Sequence, residues 1–169
     1  GITRAQQDEY ALLSQARARA AIAEGKFEAQ ITPVLVPQRK GDPLVFSLDE
    51  QPRPDTDIAA LAKLRPAFDK EGSVTAGNAS TLNDGAAAVL LMSAECAQRL
   101  GVPILARMVA SASAGVGPAY MCEGRVPATA KVLARAGWKL GELDLIEANE
   151  AFAAQALTVA KLLDLDMTK

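Results

Sequence analysis

Apolar and polar positions repeat with two different periods along this chain. From Thr3 to Gly25 they follow helical spacing and predict an amphipathic helix. Thr3 can cap its start and Gln6 can complete a capping box, each satisfying a free backbone N–H. Gly25 fits the residue that ends such a helix. Ile31 to Val36 and Leu44 to Leu48 then alternate with period two. The polar turn Gln38-Arg-Lys-Gly-Asp-Pro43 separates them, so a β-hairpin is predicted. Pro52-Arg-Pro54 opens a loop, and Asp57 can cap a short helix through Leu64, stopped by Pro66. Residues 66 to 85 carry Pro66, Gly72, Gly77, Asn78, Asn83 and Gly85 and read as loop.

The pattern changes after that loop. Ala86 to Met92 is an unbroken run of small apolar residues, as in a strand buried on both faces. Ser93 caps a helix that Gly101 ends, and Ile104 to Ser113 predicts a longer strand. A loop with Gly115, Gly117, Pro118 and Gly124 leads to a helix with Pro127 in its first turn and Gly137 at its end. Asp144 to Ala148 reads as a short buried strand, followed by a helix to about Leu163. The first part, to about residue 82, is helical with a hairpin and shows no obvious core of its own. The second alternates strands and helices, so its class is α/β.

Composition narrows the possibilities only slightly. The 169 residues suffice for one domain or pieces of two. Half are hydrophobic and 22% charged, as in an ordinary globular protein. Eighteen bases against twenty acids argue against nucleic acid as a main partner. They leave room for a phosphorylated ligand held by a few local cations. Two cysteines, with no CxxC pair, point to a reducing compartment, and the expected location is cytoplasmic. We read no signal peptide and no run long enough to span a membrane. The chain opens on Gly1, directly into a helix-start pattern, and is expected to be a cut from a longer protein.

The most informative residues are Asp144-Leu-Ile-Glu-Ala-Asn-Glu-Ala-Phe-Ala-Ala-Gln-Ala156, where a strand runs into a helix. Such junctions are where α/β folds place binding and reactive groups. Asn149 there either caps the helix or orients a ligand without adding charge. Glu150 reads as a first-turn acid favoured by the helix dipole. Cys122 has no histidine partner, because the chain contains no histidine. It reads as non-catalytic, and Cys96 as buried packing. Asp164 and Asp166, without a third ligand, read as a solvated helix end, so no metal is expected.

Taken together, several segments resemble the thiolase family, and its biosynthetic acetoacetyl-CoA-forming branch most. They are Ala62-Lys-Leu-Arg-Pro-Ala-Phe-Asp-Lys-Glu-Gly-Ser-Val-Thr-Ala-Gly-Asn-Ala-Ser80, Asn83-Asp-Gly-Ala-Ala-Ala88, Ala136-Gly-Trp138 and Asn149-Glu-Ala-Phe-Ala153. The match is colinear over essentially the whole chain. It implies part of a layered α/β/α thiolase fold with an inserted α+β loop domain. The implied division is a loop domain at 1–82, the last piece of an N-terminal domain at 83–104 and the first part of a C-terminal domain at 105–169.

The family performs a Claisen condensation of two acetyl-CoA to acetoacetyl-CoA, and its reverse. This needs a cysteine nucleophile, a base and oxyanion donors. The resemblance implies that the acylated cysteine lies upstream of this chain, and the histidine and a second cysteine downstream. It makes Asn149 the holder of an oxyanion-hole water. Arg53 aligns with the arginine against the CoA adenine and phosphates, and Phe68, Ala76 and Ser80 with the pantetheine tunnel. Met121, Ala151 and Phe152 align with the acyl pocket. Two departures stand out: Ala60 replaces a CoA-contacting serine, and Cys122-Glu-Gly-Arg-Val126 replaces smaller residues and a proline.

The resemblance thus implies a fragment of a CoA-dependent acyltransferase, with CoA thioesters as substrates, no separate cofactor and a dimeric or tetrameric full subunit. The isolated chain is expected to be inactive. The alternative is a non-catalytic CoA-binding or assembly module of the same origin. The run Ala86 to Met92 is expected to expose apolar faces and unpaired edges within this chain.

Overall fold

A computed structural model describes residues 1–169. The chain divides into two compact units, Gly1–Ala79 with Phe152–Leu157, and Ser80–Ala151 with Thr158–Lys169.

The first unit begins with helix α1 (Arg4–Ala23). Its capping box is formed as predicted: the Thr3 hydroxyl accepts the Gln6 N–H at 3.3 Å, and Gln6 Oε1 accepts the Thr3 N–H at 2.8 Å. Gly25 adopts φ +68° just past the helix, a conformation that side chains resist. The amphipathic reading of α1 needs correction. Its buried positions are Gln7, Asp8 and Ala11, while Leu13 and Ile22 are exposed. The buried stripe is largely polar because Gln7 and Asp8 find partners inside the unit.

Strands β1 (Val34–Val36) and β2 (Leu44–Phe46) form the predicted antiparallel hairpin, with Leu35 opposite Val45. All six residues are exposed, so both faces of the ribbon are open. Helix α2 (Ile58–Ala62) is capped by Asp57, whose carboxylate accepts the Ala60 N–H at 2.6 Å. It packs on α1 and buries Leu61. The turn at Ala76–Gly77 lies close against it. A Cβ at Gly77 would meet the Leu61 and Leu64 side chains at 2.5 and 2.6 Å, which explains glycine there.

The second unit holds helices α3 (Ala94–Leu100) and α4 (Arg125–Ala136). Ser93 caps α3, and Gly101 and Gly137 end the two helices at φ +65° and +72°. Pro127 lies in the first turn of α4, as predicted. The three stretches read as strands, Ala86–Met92, Ile104–Ser113 and Asp144–Ala148, form no ladder here; the hairpin is the only sheet. A strand exists only through its neighbours' N–H and C=O groups, and this chain supplies none to them. Leu90 is accordingly 81% exposed. Side chains of α4 cover some of the orphaned carbonyls instead: Lys131 donates to Ser113 O at 3.3 Å and Arg135 to Ser111 O at 2.6 Å.

Helix α5 (Ala153–Leu163) reaches the predicted end but starts three residues beyond Glu150. Its first four residues are apolar or amide and contain no acid. Glu150 is therefore not a first-turn acid, and Asn149 does not cap the helix. The Ala156 N–H bonds to Phe152 O at 3.0 Å, so the helical bonding begins at Phe152. Cys96 is half-buried rather than buried, its sulfur 3.5 Å from the Arg99 guanidinium. No helix is long and apolar enough to cross a membrane.

Candidate functional site

In the first unit the loop 66–79 is built almost entirely by polar bonds. The Ala67 N–H donates to Val74 O at 2.8 Å and closes its wide part. Its tight part, Ser73 to Asn78, is organised by one side chain. Asn78 is 3% exposed and its carboxamide oxygen accepts the Thr75 N–H at 2.8 Å. Its amide nitrogen donates to Ser73 O at 3.1 Å and to Asp8 Oδ1 at 2.9 Å. Asp8, 2% exposed, accepts on its other oxygen from Arg4 Nε at 2.8 Å. Arg4 also donates to Leu61 O and Leu64 O at 2.7 and 3.0 Å, covering the carbonyls at the end of α2. Gln7 adds a 2.9 Å bond to the Ser73 hydroxyl.

The same asparagine reaches the start of α5. Asn78 O accepts the Ala153 N–H at 2.9 Å, and Ala79 and Phe152 form an isolated antiparallel bridge. Phe152 is thereby fixed edge-on to Phe68, with ring centres 6.3 Å apart at 78°. Phe68 itself is 79% exposed, and Ala76 stands exposed at the tip of the turn. Arg53 is also exposed, in a loop tied to α1: its N–H donates to Gln15 Oε1 at 2.9 Å, and the Arg19 guanidinium contacts Pro54 O. Phe68, Phe152 and Ala76 are thus set by one network, whereas Arg53 is held from the middle of α1.

In the second unit Ser80 donates its N–H to Ala151 O at 2.9 Å and its hydroxyl to Thr81 O at 3.2 Å. Met121 lies exposed in a 3-10 helix, Pro118–Glu123, directly before α4. Asn149 is exposed, and its carbonyl accepts from Arg125 Nη1 at 2.9 Å. Both Asn149 and Arg125 line a cavity of about 810 Å³ whose other walls include Met108, Val132, Trp138 and Leu145. Arg125 meets a backbone carbonyl there.

Near the end of the chain, Asp166 Oδ1 accepts from the Thr168 hydroxyl at 2.6 Å and its N–H at 3.0 Å. These bonds hold the carboxyl below its ordinary range, with the Lys169 charge adding to the effect. No group of three or more Cys, Asp or Glu side chains gathers where it could hold a metal ion.

Four residues that organise these features were not singled out from the sequence: Arg4, Asp8, Asn78 and Arg125. Arg4 and Asp8 stand four apart on one helix, a visible pairing signal. Asn78 and Arg125 act on partners 70 and 24 residues away, and no local pattern announces that.

Comparison with known proteins identifies the family. The family model described as "Thiolase, N-terminal domain" matches residues 1–95, and "Thiolase, C-terminal domain" matches residues 102–169. An acetyl-CoA acetyltransferase of Pseudomonas aeruginosa is 62% identical over the whole chain, which covers 43% of that protein. A probable acetyl-CoA acetyltransferase of Escherichia coli is 57% identical over 166 residues, 42% of its length. The chain thus spans well under half the length of the relatives it matches. Among solved structures, the Bacillus anthracis acetyl-CoA acetyltransferase superposes with a TM-score of 0.92 at 52% identity. Human mitochondrial 3-ketoacyl-CoA thiolase does so with 0.91 at 43%. In each case 99% of this chain covers 42% of the other.

Proposed function

The chain belongs to the thiolase family, and we propose that it forms part of a CoA-dependent acyltransferase subunit. The reaction would be condensation of two acetyl-CoA to acetoacetyl-CoA, and thiolysis in reverse. The observation that carries this reading is the 62% identity to an acetyl-CoA acetyltransferase across every residue of the chain.

In this reading the chain contributes binding surface and one oxyanion group. Arg53 meets the adenine and phosphates of CoA; a guanidinium suits both stacking and anion contact. Phe68, Ala76 and Ser80 line the path of the pantetheine arm. Met121, Ala151 and Phe152 bound a short acyl pocket that excludes water. Asn149 orients the water that stabilises the oxyanion, and Arg125 steadies its backbone through the carbonyl. The nucleophile and the base are not among these residues: Cys122 is an isolated thiol and the chain has no histidine. CoA thioesters are substrates and no separate cofactor takes part. The domain division at 82 and 104, a cytoplasmic setting and a homotetrameric full subunit belong to the same proposal.

Two measurements test it. Thiolysis of acetoacetyl-CoA by this chain alone should be absent; turnover at the level of a complete thiolase would refute the division of labour. Calorimetric titration should detect CoA binding that Arg53→Ala weakens, and no heat at millimolar CoA would count against the retained surface. An assembly module is the second reading. The exposed apolar hairpin and the run through Leu90 favour it, and self-association without CoA binding would support it.

A further inference from the structure

We infer that Asn78, clamped by the Asp8 carboxylate, is the positioning residue that sets the turn through which this chain grips the pantetheine arm of CoA. The inference rests on the reading of loop 66–79 as a CoA-holding loop and adds to it the residues that give the loop its shape.

The turn Ser73–Asn78 has no sheet or helix to define it, so its shape depends on side-chain bonds. The Asn78 carboxamide supplies three of them, two to the backbone of Ser73 and Thr75 within the turn and one to Asp8 outside it. An amide is the side chain that can accept on one atom and donate twice on the other. Asp8 decides which atom is which. Its carboxylate can only accept, so it forces the amide nitrogen of Asn78 toward α1 and the oxygen toward the Thr75 N–H. Arg4 holds Asp8 in turn, and its remaining bonds to Leu61 O and Leu64 O key the clamp to α2. Because Asn78 O also takes the Ala153 N–H, the same residue sets Phe152 and hence its edge contact with Phe68. Ala76 at the tip and the Phe68–Phe152 pair are thus displayed from a single polar anchor that is itself nearly inaccessible.

The test separates positioning from simple loss of stability. Binding of CoA and of adenosine 3′,5′-bisphosphate to the full chain is measured by calorimetry, at a temperature where far-UV dichroism shows each variant folded. The variants are Asn78→Asp, Asp8→Asn and the double exchange. Asn78→Asp sets two carboxylates face to face; it should weaken CoA at least tenfold and leave the bisphosphate, which lacks the arm, within twofold. In the double exchange the amide at position 8 can donate to the carboxylate at 78 and still accept from Arg4, so CoA affinity should recover part of the loss, the remainder reflecting the donor to Ser73 O that a carboxylate cannot supply. Unchanged CoA affinity in Asn78→Asp would overturn the inference. So would an equal fall for both ligands, or no recovery in the double exchange. Should the unmodified chain bind no CoA, the CoA reading of the loop fails. Amide exchange at Thr75–Asn78 then judges the clamp alone: protection lost in Asn78→Asp and regained in the double exchange upholds it, and unchanged protection refutes it.

Discussion

The loop around Asn78 and the run from Ala86 to Met92 lie a few residues apart and solve opposite problems. The loop is polar and buried: Asn78, Asp8, Gln7 and Thr75 are nearly inaccessible, and bonds between named side chains and backbone groups hold it. The run is apolar and exposed, with no ladder partner. One is completed by side chains that this chain carries. The other needs main-chain neighbours, and strand pairing cannot be supplied by a side chain. A local polar clamp can therefore persist in a chain whose sheet-forming segments are unpaired.

The comparison breaks most sharply at Asp8. Asp8→Ala removes the acceptor of a buried Asn78 N–H and leaves that donor unsatisfied, so the first unit should lose about 3 kcal/mol. Urea denaturation followed at the first unit's amide signals would measure it; a loss below about 0.5 kcal/mol would mean that the network is incidental. Leu90→Lys tests the other side. Since Leu90 is largely exposed, stability should stay within about 0.5 kcal/mol, while sedimentation should show less self-association. A cooperative loss of folding would instead mark the run as core.

Smaller effects sharpen the same contrast inside the second unit. Arg125→Ala removes one exposed bond to Asn149 O, worth about 1 kcal/mol at most, and should speed amide exchange at residues 149–151 without shifting the global transition. Equal exchange in both proteins would show that the carbonyl needs no anchor. The smallest effect concerns Asp166. Its carboxyl titrates below the usual range because the ionised form is hydrogen-bonded, so whatever it adds to the turn Asp166–Lys169 is present above that range. The contribution is lost as pH falls through the lowered value. The Thr168 amide resonance should report it, and Thr168→Ala, which removes the hydroxyl bond but keeps the N–H bond, should move the titration part of the way back toward the ordinary range.

Similarity to relatives leaves one matter to the side chains. An acetyl-CoA acetyltransferase and a 3-ketoacyl-CoA thiolase superpose on this chain almost equally well. The shared backbone therefore does not distinguish these two relatives.

From the sequence alone, the helices with side-chain caps or glycine ends and the hairpin were legible. Thr3, Asp57 and Ser93 cap helices, Gly25, Gly101 and Gly137 end them, and the Gln38–Pro43 turn joins the hairpin. Such signals act over a few residues and so survive in the linear code. The motif around Asn149 was legible too, and with it the family. Tertiary structure alone decided what depends on distant partners: that α1 buries Gln7 and Asp8, that Asn78 anchors a turn to a helix seventy residues earlier, that Arg125 meets Asn149, and that Ile104–Ser113 and Asp144–Ala148 stay without ladders as Ala86–Met92 was expected to. Each follows from whether a buried donor or an extended backbone finds a partner, which only the folded arrangement decides.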